Sequence, residues 1–210
     1  MFGQKPSTKA HSPLERGNHP ELDDSELLDK AGTEQYQSLI GSLQWAILLG
    51  QFDIAMAVMS MSSFCVAPRR GHLQHLCCIC GYIVKMKNAT IRFRTHAPEY
   101  SDLPDKQHDW FPVYGEVTEL IPEGTPKALG KPVTLTHYVD ANLFHDALTG
   151  HSVTGILHMM NATPIDWYSK KQATVETATY GSEFVAAHTC VDQMVDLSNT
   201  LRYLGVPIQE

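Results

Sequence analysis

The chain has 210 residues, of which 43% are hydrophobic and 19% charged, with a net charge of −7 and a pI near 5.8. This composition excludes a disordered chain and allows one large domain or two small ones, while the acidic balance argues against a dedicated nucleic-acid binder, whose domain would carry a basic excess. The first residues lack the apolar core of a signal peptide, and the longest apolar runs, such as IAMAVM (54–59), are far too short to span a bilayer. An intracellular protein, cytoplasmic or nuclear, is expected. Its five cysteines, three of them crowded at Cys77, Cys78 and Cys80, fit free thiols in a reducing compartment.

Residues 1–32, rich in Pro, Gly, Ser and charge, read as an extended lead-in with a helical turn at 25–28. Three helices are predicted next, over 34–49, 52–65 and 71–86, broken by Gly50 and by Pro68 with Gly71. Leu39, Leu43, Ala46 and Ile47 form an apolar stripe on the first, and Ile54, Val58 and Met61 on the second. TIRFRT (90–95) and PVYGEVTEL (112–120) alternate like strands, and IPEGTPKALGKP (121–132) is the best linker. VTLTHYVDA (133–141) reads as a strand, 153–170 as a hairpin turning at Asn161–Ala162, and 180–203 as an amphipathic helix stopped by Gly205 and Pro207. That last helix is expected to bury Phe184, Ala187, Val191 and Met194, which leaves Glu183 in need of solvent or a positive partner.

Asp140 ends its strand and Glu183 opens the final helix, so a helix packed across the sheet would bring both to one edge. Two carboxylates converging in this way are a common holder of Mg²⁺. The bland alternative is that Asp140 caps a turn with Asn142 and that Glu183 is merely solvated.

YVDANLFHDALTGHSVTGILHMMNATPIDWYSKKQATVETATYGSEFVAA (138–187) closely resembles the RNase H domain of copia-type LTR-retrotransposon Pol polyproteins: a strand Asp, a hairpin start, a W-x-S-K-K-Q segment and an S-E-F-V-A helix start. YQSLIGSLQWAILLGQFDIAMAV (36–58), continued by GHLQHLCCICGYI (71–83), is similar to the reverse-transcriptase tail of the same polyproteins. The resemblance implies an α+β chain: lead-in 1–32, the C-terminal helical segment of a reverse transcriptase at 33–120, linker 121–132, and the N-terminal half of an RNase H-like domain at 133–210, with three antiparallel strands and one long helix. It further implies Asp140 and Glu183 as metal-binding catalytic acids with Mg²⁺ as cofactor and an RNA–DNA hybrid as ancestral partner. Lys170, Lys171 and Gln172 follow the third strand, where they either meet backbone phosphates or form an exposed hairpin end.

The sequence also departs from that family. Asn142 stands where relatives often have an acid, and Glu210 comes before the strand that supplies the third RNase H acid. The polymerase Tyr-x-Asp-Asp signature is missing: Asp23–Asp24 is preceded by Glu21 rather than Tyr. Gln51, Cys65, His75, Cys78, His151 and His188 stand where a typical relative has Arg, as in an eroding copy that has lost phosphate contacts. A truncated, inactive chain is therefore expected, able to associate with the rest of the polyprotein or with itself through an exposed sheet edge; the other reading is a non-catalytic relic that binds nucleic acid or protein. The string GHLQHLCCIC (71–80) concentrates zinc-ligand types, but Cys77, Cys78 and Cys80 scatter around a helix rather than pairing from two elements.

Overall fold

The computed structural model describes residues 11–15, 17–96, 98–99, 109, 111–116 and 120–209. Two modules follow in sequence. The first is helical: α1 (Lys30–Leu48), α2 (Ala55–Ser62, entered through a 3-10 turn at Phe52–Ile54) and α3 (Arg70–Lys85). α1 begins earlier than the periodicity predicts because the Asp29 carboxylate accepts the Gly32 amide at 2.8 Å and so satisfies an orphan donor of the first turn. Its inner face is Tyr36, Ile40 and Leu43, closed by Ile54, Ala57, Val58 and Met61 from the second helix and Leu76 and Ile79 from the third. The Tyr36 hydroxyl donates to the Met61 carbonyl at 2.7 Å, and burial pushes that phenol well above its ordinary pKa.

The lead-in is packed rather than merely extended from about residue 12. Its 3-10 turn falls at Pro20–Leu22, not at 25–28; Leu14 meets the core, and Leu27 pairs antiparallel with Arg69. His72 holds it through Nε2, which donates to the Pro20 carbonyl, while Nδ1 accepts the Arg69 amide at the start of its own helix and the ring stacks on Phe64. Both ring nitrogens of the first histidine of the GHLQHLCCIC string are thereby engaged. Among the described residues no three His, Cys, Asp or Glu side chains come together for a metal.

The 90–95 stretch forms no strand ladder. It runs past the sheet on side-chain tethers, with Thr163 Oγ1 accepting from the Arg94 amide (2.7 Å) and donating to its carbonyl (3.2 Å). Phe93 is left 82% exposed, so this alternation does not mark a buried face. In the 112–120 stretch the described part is a single helical turn, α4 (Phe111–Tyr114); residues 117–119 lie outside the described residues.

The second module is a meander, β1 (Leu135–Asn142), β2 (Val153–Met160) and β3 (Thr163–Lys171), all antiparallel in the order β1-β2-β3, with α5 (Thr179–Tyr203) packed on β1 and β2. Asn161 turns the hairpin at φ 53, a left-handed conformation that Asn tolerates, and its Oδ1 accepts the Thr134 amide. A bulge follows His158, opposite Pro164, whose missing N–H is tolerated on an edge strand. α5 ends in a Schellman motif: Gly205 at φ 77 donates to the Arg202 carbonyl and Val206 to that of Leu201. The chain then turns back beside the sheet, where Ile208 pairs parallel with Val133 and begins to cover the free edge of β1.

α5 buries a different face from the expected one. Ser182, Ala186 and Cys190 face the sheet, whereas Phe184 is 62% and Val191 52% exposed. Helical periodicity admits both stripes; small residues win because they let the helix lie close against β1 and β2.

Candidate functional site

Strand alternation assigns a side to every residue of the sheet. Asp140 pairs with Gly155 and shares its face with Tyr138, Asn142, Leu157, Trp167 and Ser169. This face looks toward the helical module, where Trp167 packs on Phe52 with ring centroids 5.1 Å apart. The other face carries Thr154 and His158 and meets α5, since His158 Nε2 bonds Gln193 Oε1 at 3.1 Å.

Glu183 belongs to the first turns of α5, one step around the helix from buried Ser182, and is half-buried. Gln172 fixes the level of that turn: its Nε2 donates both to the Ser182 carbonyl (2.9 Å) and to Thr154 Oγ1 (3.0 Å). Thr154 in turn pairs with Ala141, the neighbour of Asp140. The two carboxylates therefore stand near one level of the sheet but on opposite faces of it, Asp140 on the face toward the helical module and Glu183 on the helix that covers the other. Neither makes a hydrogen bond or ion pair with a described residue, and Asp140 is exposed. Two uncompensated carboxylates suit Mg²⁺, which takes one or two acidic oxygens and completes its shell with water and substrate phosphate.

Lys170 and Lys171 are the last residues of β3 rather than following it, since the ladder to β2 runs on through them to Thr154 and Val153, and of Lys170, Lys171 and Gln172 only Lys170 is exposed. The Lys171 ammonium lies 2.7 Å from Asp146 Oδ2. Burial alone would raise the Asp146 pKa, yet the Lys171 and Thr149 hydrogen bonds outweigh it and hold the carboxyl well below the usual carboxylate range. Gln172 is 6% exposed and clamps β2 to α5.

Sequence reasoning missed the polar seam between the modules. His145 joins Ser60 Oγ through Nε2 (2.8 Å) and Asn142 through Nδ1 (3.1 Å), and the Ala147 amide donates to Glu21 Oε1. These partners are up to 126 positions apart in the chain, so no local spacing announces them. Burial holds the His145 imidazole below its ordinary pKa.

The architecture defines an α+β protein, a helical module joined to a three-stranded antiparallel meander with a covering helix. The chain is 26% identical over 175 residues to the Retrovirus-related Pol polyprotein from transposon TNT 1-94 of Nicotiana tabacum, covering 83% of this chain but only 10% of that protein. It is also 24% identical over 163 residues to the Secreted RxLR effector protein 161 of Plasmopara viticola, covering 78% of this chain and 91% of the effector. The first similarity supports a retrotransposon Pol-like origin. No family model matches, and no solved structure matches. Among the described residues no helix is long and apolar enough to cross a membrane.

Proposed function

We propose that the chain derives from a copia-type Pol polyprotein, residues 33–120 corresponding to the end of the reverse transcriptase and 133–210 to the first half of the RNase H domain. The observation that carries this reading is topological: an antiparallel meander, a helix crossing back over it, and a return parallel to the first strand at Val133–Ile208. That return points along the free edge of β1 toward Asp140. In this reading Asp140 and Glu183 hold Mg²⁺ and orient the scissile phosphodiester in the RNA strand of an RNA–DNA hybrid, while Lys170, with Lys171 and Gln172 behind it, borders the backbone. The bound ion supplies charge neutralisation and an acidified water. Asn142 stands where such sites often carry a further acid, so transition-state charge goes unbalanced and cleavage by this chain is expected to be weak or absent.

The similarity to an effector of comparable length favours a second reading, a non-catalytic relic that binds nucleic acid or protein. One experiment separates them. Mg²⁺ is titrated into labelled protein while the backbone amide resonances of Asp140 and Glu183 are followed, and an RNA–DNA hybrid is then added and assayed for cleavage. The paired site predicts that both resonances move together, that Asp140→Asn abolishes the movement of both, and that cleavage stays at background. Movement of neither resonance, or of one alone, defeats the paired site; Mg²⁺-dependent turnover lost in Asp140→Asn defeats the expectation of inactivity.

A further inference from the structure

Charge is unevenly spread along the chain. Residues 36–96 contain six cations, Arg69, Arg70, Lys85, Lys87, Arg92 and Arg94, against one acid, Asp53, so the rest of the chain carries all of the acidic excess behind the net charge of −7. Lys87, Arg92 and Arg94 are exposed on the segment that leaves α3, and none of the three forms an ion pair with a described residue. That segment passes the end of α1: Gly50, Ala89, Ile91, Arg92 and Arg94 line one cleft, and a Cβ on Gly50 would lie 3.0 Å from Ile91 Cδ1. Asp53 lines the same cleft, its carboxylate accepting from the Tyr82 hydroxyl at 2.8 Å. α1 is apolar on both sides at this end. Tyr36, Ile40 and Leu43 point into the core, and at about 3.6 residues per turn Trp45, Leu48 and Leu49 fall on the opposite side, where they are 63%, 72% and 70% exposed. Phe93, between the two arginines, is exposed as well. An indole, a phenyl ring and two leucines left in water beside cations on long stems have the composition of a patch that lies in the boundary of a bilayer, aromatic rings at headgroup depth and Lys or Arg reaching back to lipid phosphate.

We propose that this end of the helical module docks on the surface of an anionic phospholipid bilayer, with Trp45, Leu48, Leu49 and Phe93 entering the headgroup boundary and Lys87, Arg92 and Arg94 against lipid phosphates. Lying on a membrane requires no spanning helix, only an apolar patch with a few cations around it. A polyanion without an apolar phase would satisfy the cations but leave the two leucines in water, so the exposed side chains favour the bilayer. The net charge of −7 opposes approach at long range, yet screening over about 8 Å at physiological salt limits that repulsion, while the cations act at the contact itself. The inference stands apart from the Pol-derived reading, because Asp140 and Glu183 belong to the second module and take no part in it.

The test is flotation of the full chain with vesicles on a density gradient, which separates bound protein from any that merely aggregates. Vesicles of phosphatidylcholine alone are compared with vesicles in which part of the lipid is phosphatidylserine or phosphatidylglycerol, over a series of salt concentrations. Flotation with an anionic mixture, weakening as salt rises, and little with phosphatidylcholine alone is the expected result. Lys87→Gln with Arg92→Gln and Arg94→Gln is expected to lower the partition coefficient about a hundredfold, roughly fivefold for each cation near the surface. Leu48→Gln with Leu49→Gln, on the side of α1 turned from the core, is expected to lower it at least about tenfold with an unchanged circular dichroism spectrum. Should that pair fail to fold, Phe93→Ser takes its place with the same direction of effect. Tryptophan emission is expected to shift to shorter wavelength on binding, and Trp45→Phe to remove most of the shift. Absence of flotation with every vesicle overturns the proposal, and so does equal flotation with all of them. An emission shift that survives Trp45→Phe places the contact elsewhere and also overturns it. Loss of binding in the cation variant with no effect of the leucine pair shows a purely ionic surface, open to a nucleic acid, and refutes the bilayer.

Discussion

Gln172 offers a sharp choice between a residue that contacts a ligand and one that holds the fold. Gln172→Ala removes the bonds to Thr154 Oγ1 and the Ser182 carbonyl but keeps the backbone bond from Gln172 N to the Ser152 carbonyl at 2.8 Å. Two buried hydrogen bonds at roughly 0.5–1.5 kcal/mol each predict a loss of about 1–3 kcal/mol. For a chain of this length that is a Tm decrease of about 2–12 °C, since roughly 1 kcal/mol corresponds to 2–4 °C. Gln172→Met keeps the side-chain length and also deletes the unpartnered Oε1, so its loss should be the smaller, below about 1.5 kcal/mol. Urea and thermal unfolding followed by circular dichroism give both values. An Ala variant within about 0.5 kcal/mol of the parent that has lost nucleic-acid affinity would refute the clamp and make Gln172 a contact residue.

Stability should also fall in mild acid. Burial, and then the neighbouring His158, lowers the His137 pKa, and burial lowers those of His75 and His145. The unfolded imidazoles, near about 6.5, bind protons before the folded ones do, so stability present above pH 6.5 is lost as pH falls through that window. Asp146, held well below its ordinary value, adds a second loss below about pH 4, where its unfolded carboxyl takes up a proton. Urea midpoints measured from pH 8 to 5 test the first window: His137→Gln should flatten the profile, and a parent profile that is flat or rises toward acid would contradict the assignment. Gly71→Ala would place a Cβ 1.7 Å from Asp23 Oδ2 and should lever the lead-in off α3. Limited proteolysis should cut residues 11–29 faster in that variant, with Asp23→Ala as suppressor; unchanged cutting rates would show that the carboxylate swings aside freely.

How much of the site was legible depends on how local each signal is. The hairpin turn at Asn161–Ala162 and the stop at Gly205 are plain in the sequence because turn and cap chemistry is written within a few residues, and Asp140 and Glu183 stand out as candidates by the same local reading. The face of α5 was misread. Phe184, Ala187 and Val191 repeat at helical spacing just as Ser182, Ala186 and Cys190 do, and hydropathy favours the first set, but close approach to the sheet selects the second. TIRFRT alternates without becoming a strand because β3, the nearest strand, offers it Thr163 Oγ1 and no hydrogen-bonded ladder.

The sequence by itself determined the three helices of the first module, the antiparallel hairpin and the final helix, since each rests on periodicity or on a short motif. Only the tertiary structure decided that Asp140 and Glu183 lie on opposite faces of the sheet, that Lys171 and Gln172 are engaged in holding the fold, and that Ile91, Arg92 and Arg94 pass the end of α1. Those facts depend on register and on contacts between residues tens of positions apart. A change of one residue in register would exchange the faces of β1 while leaving every local pattern as it is.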